Sequence, residues 1–418
     1  MQNEPTINQL EEPLAKRTSK AIPRGLATTG PIVFSYGFRP FFLAGGSWAV
    51  IAMLLWILAL VFGWPIGGDY GAAAWHAHEM LFGFTPAVLA GFLLTAVPNW
   101  TGRLPVSGPP LMVLVAIWAA GRLAMLSPAL IGVTAAAAVD ALFLPALLFI
   151  CAREVIAGRK WSDLKVMAGL AALSLANILF HHAVIGEDHS GAFNRLGISA
   201  YVMLITIIGG RIIPSFTRNW MKKFGHKVFP VPHNRFDEIA IASGLIALGA
   251  WVIRPEHPAT AVLATIAGLL HAIRLYRWRG WSTWPEKLLL ILHLAYAFVA
   301  LGLFGIALGA LGMIDAFSVL HLLSVGAVAS MMIAVMSRVS RGHTGRVLTA
   351  SPMAAVSYAA ILLSAVLRPM ANVLPDFYEP LIVAAGLSWV LAFSLFCWEC
   401  GPMLIKVRRV AHGDSAPG

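Results

Sequence analysis

Charge is scarce in this 418-residue chain: Asp, Glu, Lys and Arg make up 12% of it, against about 25% in an ordinary soluble domain. So few charges cannot solvate the surface of a globular fold, and a water-soluble domain is excluded. Cysteine is scarcer still, because Cys151, Cys397 and Cys400 are the full set, too few for a disulfide framework. Cys397 and Cys400 have the spacing that puts both sulfurs on one face of a continuous helix, but a buried thiol ordinarily packs as a small hydrophobe, which is the reading adopted. No Gly-x-x-x-x-Gly-Lys-Ser/Thr phosphate loop occurs, which excludes a primary ATP-driven pump. The first 35 residues lack the apolar stretch of a cleavable signal peptide and read as a retained flexible tail.

What is present is hydrocarbon. Hydrophobic residues make up 59% of the chain and the mean hydropathy is +0.78. Runs of about 20 residues, long enough to cross ~30 Å of bilayer, fall at 40–63, 76–98, 109–126, 129–151, 164–183, 195–214, 237–253, 259–276, 286–311, 315–337, 350–370 and 379–405. They predict an all-α polytopic membrane protein, a twelve-helix transmembrane domain over 36–405 between tails at 1–35 and 406–418. With twelve spans, the two tails and the even-numbered loops hold almost all of the Lys and Arg, while the odd loops hold only Arg122, Arg195, Arg254 and Arg368. Basic residues favour the cytoplasmic side of short loops, so a bacterial inner membrane with both termini cytoplasmic is expected. The +11 net charge is thereby accounted for, the lipid bilayer is the expected surrounding, and no nucleic-acid partner is expected.

The ends of the second, sixth and tenth spans look alike, with Thr101, Thr217 and Ser340 in register at offsets of 116 and 123 residues. Weak self-similarity at such a period is how repeated membrane architectures show in sequence. It suggests three four-helix repeats, resembling the arrangement of the haem-copper oxidase subunit in helix count and repeat.

Thirteen histidines sort by depth. His76 and His78 in the second span, His181 and His182 ending the fifth, and His321 entering the tenth all fall at the outer face. His271, His293 and His343 fall on the inner half. Imidazole is the commonest metal ligand and a usual axial ligand of haem, and ionisable groups at a membrane boundary are costly unless they bind something. The outer five are therefore the metal-ligand candidates. Two histidines separated by one residue diverge by about 200° on a helix, so His76 and His78 are expected to face different partners. Glu79, one turn from His76, can orient its ring, and Asn177 lies one turn below His181. His78 and His321 form the pairing suited to gripping a planar macrocycle. His293 and His343 are second-rank, and His293 has satisfaction by a neighbouring helix as its alternative. Asp140, mid-span and followed by Pro145, reads either as a proton carrier or as a neutral hydrogen-bonding group. Arg211 reads either as a partner for a haem propionate or as a structural contact.

With these residues in hand, the chain resembles the NnrS family of bacterial haem- and copper-containing membrane proteins. The likeness lies in Phe38-Arg-Pro-Phe-Phe42, Trp75-His-Ala-His-Glu-Met-Leu-Phe-Gly83, Gly91-Phe-Leu-Leu-Thr-Ala-Val-Pro-Asn-Trp-Thr-Gly-Arg103, His321 with its apolar sequel, and Met336-Ser-Arg-Val-Ser-Arg-Gly-His-Thr-Gly-Arg346. It spans about residues 34 to 405. The resemblance implies a twelve-helix protein of nitric oxide metabolism, denitrification and defence against nitrosative stress, with haem and copper as cofactors. No Cys-x-x-Cys-His occurs, so haem b rather than covalently attached haem is expected.

The leading expectation is a haem- and copper-binding membrane protein that binds and detoxifies or reduces nitric oxide. Its cofactor candidates are His78, His321, His293 and Arg211, and its metal-ligand candidates are His76, His78, His181, His182 and His321. As a nitric oxide reductase-like oxidoreductase it would use Glu79 and Asp140 as proton carriers and need an electron donor that the sequence does not identify. The alternatives are a secondary transporter of a metal or metal complex, and a non-catalytic haem-based nitric oxide sensor.

Overall fold

A computed structural model describes residues 30–188 and 191–408; most of both expected tails, 1–29 and 409–418, lies outside the described residues. Among the described residues the chain folds into helices without strands, and twelve of the helices are long and apolar enough to cross a membrane. They are α1 Phe38–Phe62, α2 Ala72–Thr101, α3 Pro109–Leu126, α4 Val133–Ala157, α5 Trp161–Ile185, α6 Gly191–Lys223, α7 Arg235–Ile253, α8 Pro258–Arg277, α9 Lys287–Ala310, α10 Ala316–His343, α11 Pro352–Val373 and α12 Pro375–Ile405. The protein is an integral membrane protein. Three helices outrun their apolar segments at the end rich in Lys and Arg: α2 reaches Thr101, α6 Lys223 and α10 His343. Polar residues there end the hydrophobic run without ending the backbone hydrogen bonding, which is why sequence boundaries at 98, 214 and 337 fall short.

Burial separates an inner ring from an outer one. The apolar window of α2 is 89% buried, and those of α6 and α10 are each 72% buried, whereas α1, α3 and α7 bury 33% and face outward. The three central helices touch one another. Each also contains a π-helical segment in mid-span: Glu79–Phe84 in α2, Ile205–Gly209 in α6 and Leu322–Ala329 in α10. A π turn leaves backbone carbonyls out of register with their usual donors, and inside a bilayer such groups need a side-chain partner.

Each segment has one. The Trp118 indole donates to the Gly83 carbonyl at 2.9 Å, and Thr85 Oγ1 and Tyr201 donate to Leu81 at 2.6 and 3.2 Å. In α6, Arg274 donates to the Thr206 carbonyl at 2.9 Å, and in α10, Ser330 Oγ donates to Val325 at 3.2 Å. The same distortion occurs in the second, sixth and tenth helices.

Close approach of helices is set by glycine where α9 meets α10. A methyl at Gly302 would stand 2.2 Å from Leu323, and one at Gly326 would stand 2.3 Å from Phe298, so each helix offers a bare backbone to the other's side chain. At the opposite edge Arg39, in the first turn of α1, donates to the carbonyls of Leu404 and Lys406, both at 2.8 Å, and closes the first helix on the last. α4 is interrupted after Asp140. Pro145 has no N–H for the carbonyl four residues back and its ring crowds that carbonyl, so the helix breaks there and Asp140 ends its first half.

Replacing Trp118 by Phe keeps the ring in place and removes the donor to Gly83. The exposed carbonyl should cost about 1–3 kcal/mol, read as a lowered thermal midpoint of the detergent-purified protein with helical content unchanged at low temperature. An unchanged midpoint would refute the role assigned to the indole.

Candidate metal and cofactor centre

The histidine-bearing end of the bundle is built on a glycine-rich turn. Gly67, Gly68 and Gly71 have φ of 76°, 51° and 81°, in the left-handed region that residues with a Cβ avoid. They fold the α1–α2 connection back so that Tyr70 is buried beneath α2. The helix then presents two imidazoles to opposite sides.

His78 faces α3, α4 and α5 and is fully buried. Its Nδ1 lies 3.0 Å from Glu79 Oε1, and its Nε2 lies 3.1 Å from both Asp140 Oδ2 and Asn177 Oδ1. His181, one turn after Asn177 on α5, places Nε2 2.9 Å from the same Asp140 oxygen and Nδ1 3.0 Å from the Tyr70 hydroxyl. Asn177 Nδ2 also donates to Asp140 at 2.9 Å. Arg122 on α3 binds Glu79 at 2.5 Å and Asp140 on its other side, while the Trp48 indole donates to Glu79 at 2.7 Å. Burial, reinforced by the Glu79 charge and opposed more weakly by Arg122, pushes the Tyr70 phenol above its ordinary value. Tyr70 therefore stays a neutral hydroxyl, which can donate to His181 Nδ1 while Nε2–H faces Asp140, or accept from Nδ1–H and leave the Nε2 lone pair free for a metal ion.

This cluster could hold a metal ion: His78, Asp140 and His181 each offer a ligand atom within 4.8 Å of the others. Charge arithmetic points the same way. Two carboxylates face one guanidinium, so the excess negative charge inside the membrane must be met by a metal ion or by a proton on an imidazole or a carboxylate. Two nitrogens and a carboxylate oxygen form a donor set suited to first-row transition metals.

His76 points the other way. Its ring stacks on Trp56 at 4.4 Å with planes 14° apart, and its buried Nδ1 takes no hydrogen bond. It lines a cavity of about 370 Å³ among α1, α2, α6, α10, α11 and α12 that His321 lines as well. His321 Nδ1 lies 2.7 Å from the Phe317 carbonyl. A carbonyl only accepts, so Nδ1 carries the hydrogen and Nε2 keeps its lone pair, the tautomer a metal ligand needs. The remaining wall is mostly apolar, with Arg368 as its cation.

The residues singled out from sequence thus divide. His76 and His321 share the cavity; His78, His181, Asp140 and Glu79 share the buried cluster. The expected pairing of His78 with His321 is replaced by His76 with His321, because the cavity lies on the His76 side of α2. Glu79 bonds to His78 rather than to His76. His182 is exposed and joins neither group. His293 bonds to Thr217 at 2.8 Å near the basic end, and His343 packs against Phe38 and Tyr36 there. Arg211 binds Asp163 at 2.7 Å, away from both centres. Cys397 and Cys400 are free thiols outside the ligand group.

Sequence reasoning missed Tyr70, Arg122 and Arg368. The last two carried a signal, since both were among the four basic residues that violated the charge asymmetry of the loops.

Arg122→Met should leave two carboxylates unmatched and cost about 3–5 kcal/mol, seen as loss of folded, monodisperse protein in detergent. Adding Asp140→Asn to it returns the cluster to the single excess negative charge of the wild type and should recover much of the yield. A double variant no better than the single one would refute the charge account.

Among curated proteins, no sequence matches this chain. The family model described as NnrS protein matches residues 32–408, nearly the whole chain. The chain therefore belongs to the NnrS family.

Proposed function

We propose that this protein binds haem b in the cavity between His76 and His321, binds a copper ion at His78, Asp140 and His181, and uses the pair of centres to bind nitric oxide within the membrane. The observation that carries the reading is the cavity itself: two imidazoles from α2 and α10, both with nitrogens free of hydrogen bonds, line one apolar space. The residues fit the group. An orphaned imidazole nitrogen is costly in a buried site, and ligation to iron removes the cost. The cluster across α2 supplies two nitrogens, one oxygen and an unmatched negative charge, which suits a copper ion.

Nitric oxide is small and apolar and partitions into bilayers, so centres inside a helical bundle meet it where it concentrates. Haem held by His76 and His321 would supply an iron able to bind the gas. His76 and His78 are separated by Ala77 alone, so α2 forms a common wall between the two centres. Reduction of bound nitric oxide requires electrons from a donor, and in this reading the donor delivers them from outside the described chain. Family membership supports a role in the response to nitric oxide. The concentration of Lys and Arg at the end opposite the histidines supports insertion in a bacterial inner membrane with both termini cytoplasmic.

The purified protein should show a Soret band that shifts on reduction and again on adding nitric oxide, together with bound copper by metal analysis. His76→Ala and His321→Ala should each lose the haem and keep the copper, whereas His78→Ala and His181→Ala should lose the copper and keep the haem. Loss of haem from His78→Ala with retention in His76→Ala would reverse the assignment. A protein with neither Soret band nor copper would sink the proposal and leave metal transport as the reading. Gas consumption with an added reductant separates turnover from binding alone.

A further inference from the structure

Arginine inside a membrane domain is costly, and its partner usually shows why it is there. Among the described residues, Arg122 binds Glu79 and Asp140, Arg274 binds Asp237, Arg341 binds Glu399 and Arg211 binds Asp163. Others are met without an acid: Arg39 and Arg195 donate to backbone carbonyls and Arg338 lies over the Phe216 ring. Arg368, on the histidine-end half of α11, has neither kind of partner among the described residues and borders a cavity. It has no carboxylate within ion-pair distance among the described residues, and its hydrogen bond is a 3.5 Å contact to Asn372 Oδ1, at the limit of what counts as one.

The neighbouring acid is already committed. Asp315 accepts from the Ser318 amide at 2.9 Å, the Ser318 hydroxyl at 2.5 Å and Asn372 Nδ2 at 2.7 Å. Arg368 instead lines the cavity that holds His76 and His321. A guanidinium is a planar fork of donors matched to a carboxylate, and here it borders a mostly apolar cavity lined by two imidazoles, with no acid of its own.

We propose that Arg368 is the anion-recognition residue of this cavity, and that it pairs with a carboxylate on the ring edge of the bound metalloporphyrin. The assignment rests on the haem reading above. The cavity then contains every contact such a ligand requires: imidazoles for the metal, apolar walls including the Trp56–His76 stack for the ring, and one cation for the acidic edge. Recognition of a fixed edge also sets which way round the flat ring enters, a choice that two imidazoles alone leave undetermined.

The test uses full-length protein purified without haem from haem-limited cells and titrated with haemin and with haemin dimethyl ester, which has the same ring and iron without the free carboxylates. Wild type should prefer the free acid by about 10- to 100-fold, the range expected for a charge-assisted hydrogen bond. Arg368→Gln should bind the ester as wild type does and lose the preference, and Arg368→Lys, with charge but no fork, should fall between. Ester binding in the glutamine variant shows that it is folded; should that variant not fold, a full wild-type preference in the lysine variant overturns the paired-fork geometry and a reduced one supports it. A preference equal to wild type in the glutamine variant overturns the assignment. Wild type binding both ligands equally does the same while leaving the haem reading intact. Wild type binding neither overturns the haem reading itself and the Arg368 assignment with it.

Discussion

The bundle depends on a guanidinium held between two carboxylates in a place where none of the three could stand alone. Arg122 joins Glu79 on α2 to Asp140 on α4, and through them His78, Asn177, His181 and Tyr70 take fixed positions. Hydrogen bonds in a low-dielectric interior are strong, and a missing member is correspondingly expensive. Packing has been shaped to this ion cluster. A methyl at Gly83 would lie 2.1 Å from the Arg122 guanidinium and 2.5 Å from Glu79, so the π turn of α2 brings a bare backbone to the one face where a side chain would split the pair.

The same helix divides two environments. On one side of α2 are charges, hydrogen bonds and oxygen donors; on the other, a mostly apolar cavity lined by two imidazoles, of which His76 leaves Nδ1 without a partner. Sequence spacing alone makes this possible, since residues 76 and 78 diverge around the helix axis. What decides their partners is the neighbourhood: α1, α10 and α12 carry apolar and aromatic walls, whereas α3, α4 and α5 each contribute a polar or charged side chain.

Much of the architecture was legible in the sequence because a bilayer imposes a simple rule, that apolar runs of sufficient length become helices. Twelve spans and the grouping of His76, His78, His181 and His321 at one end came from that rule. Which histidine meets which partner was not legible, because orientation around a helix is set by packing, and the π turns shift it further. Glu79 was assigned to His76 from its one-turn spacing, yet its carboxylate turns to the adjacent His78, drawn by the Arg122 charge from α3. Arg211 seemed exceptional at its depth because the helix was expected to end at 214; with α6 continuing to Lys223, it pairs with Asp163 at the start of α5. Arg122 and Arg368 were visible as exceptions to the charge asymmetry, but an exception acquires meaning only when its partner is seen.

The π segments of α2, α6 and α10 have a consequence for how such a fold changes over time. Each holds one residue more per turn than an α-helix, and so has the form of a single-codon insertion accommodated within a helix. Removing one residue would return that turn to α geometry, so that the histidines before it and the packing after it would both keep their faces while the carbonyls of the turn regained their usual donors. In a lineage built on this bundle, a residue can thus be gained or lost in the middle of a membrane helix without disturbing the ligand sets at its end.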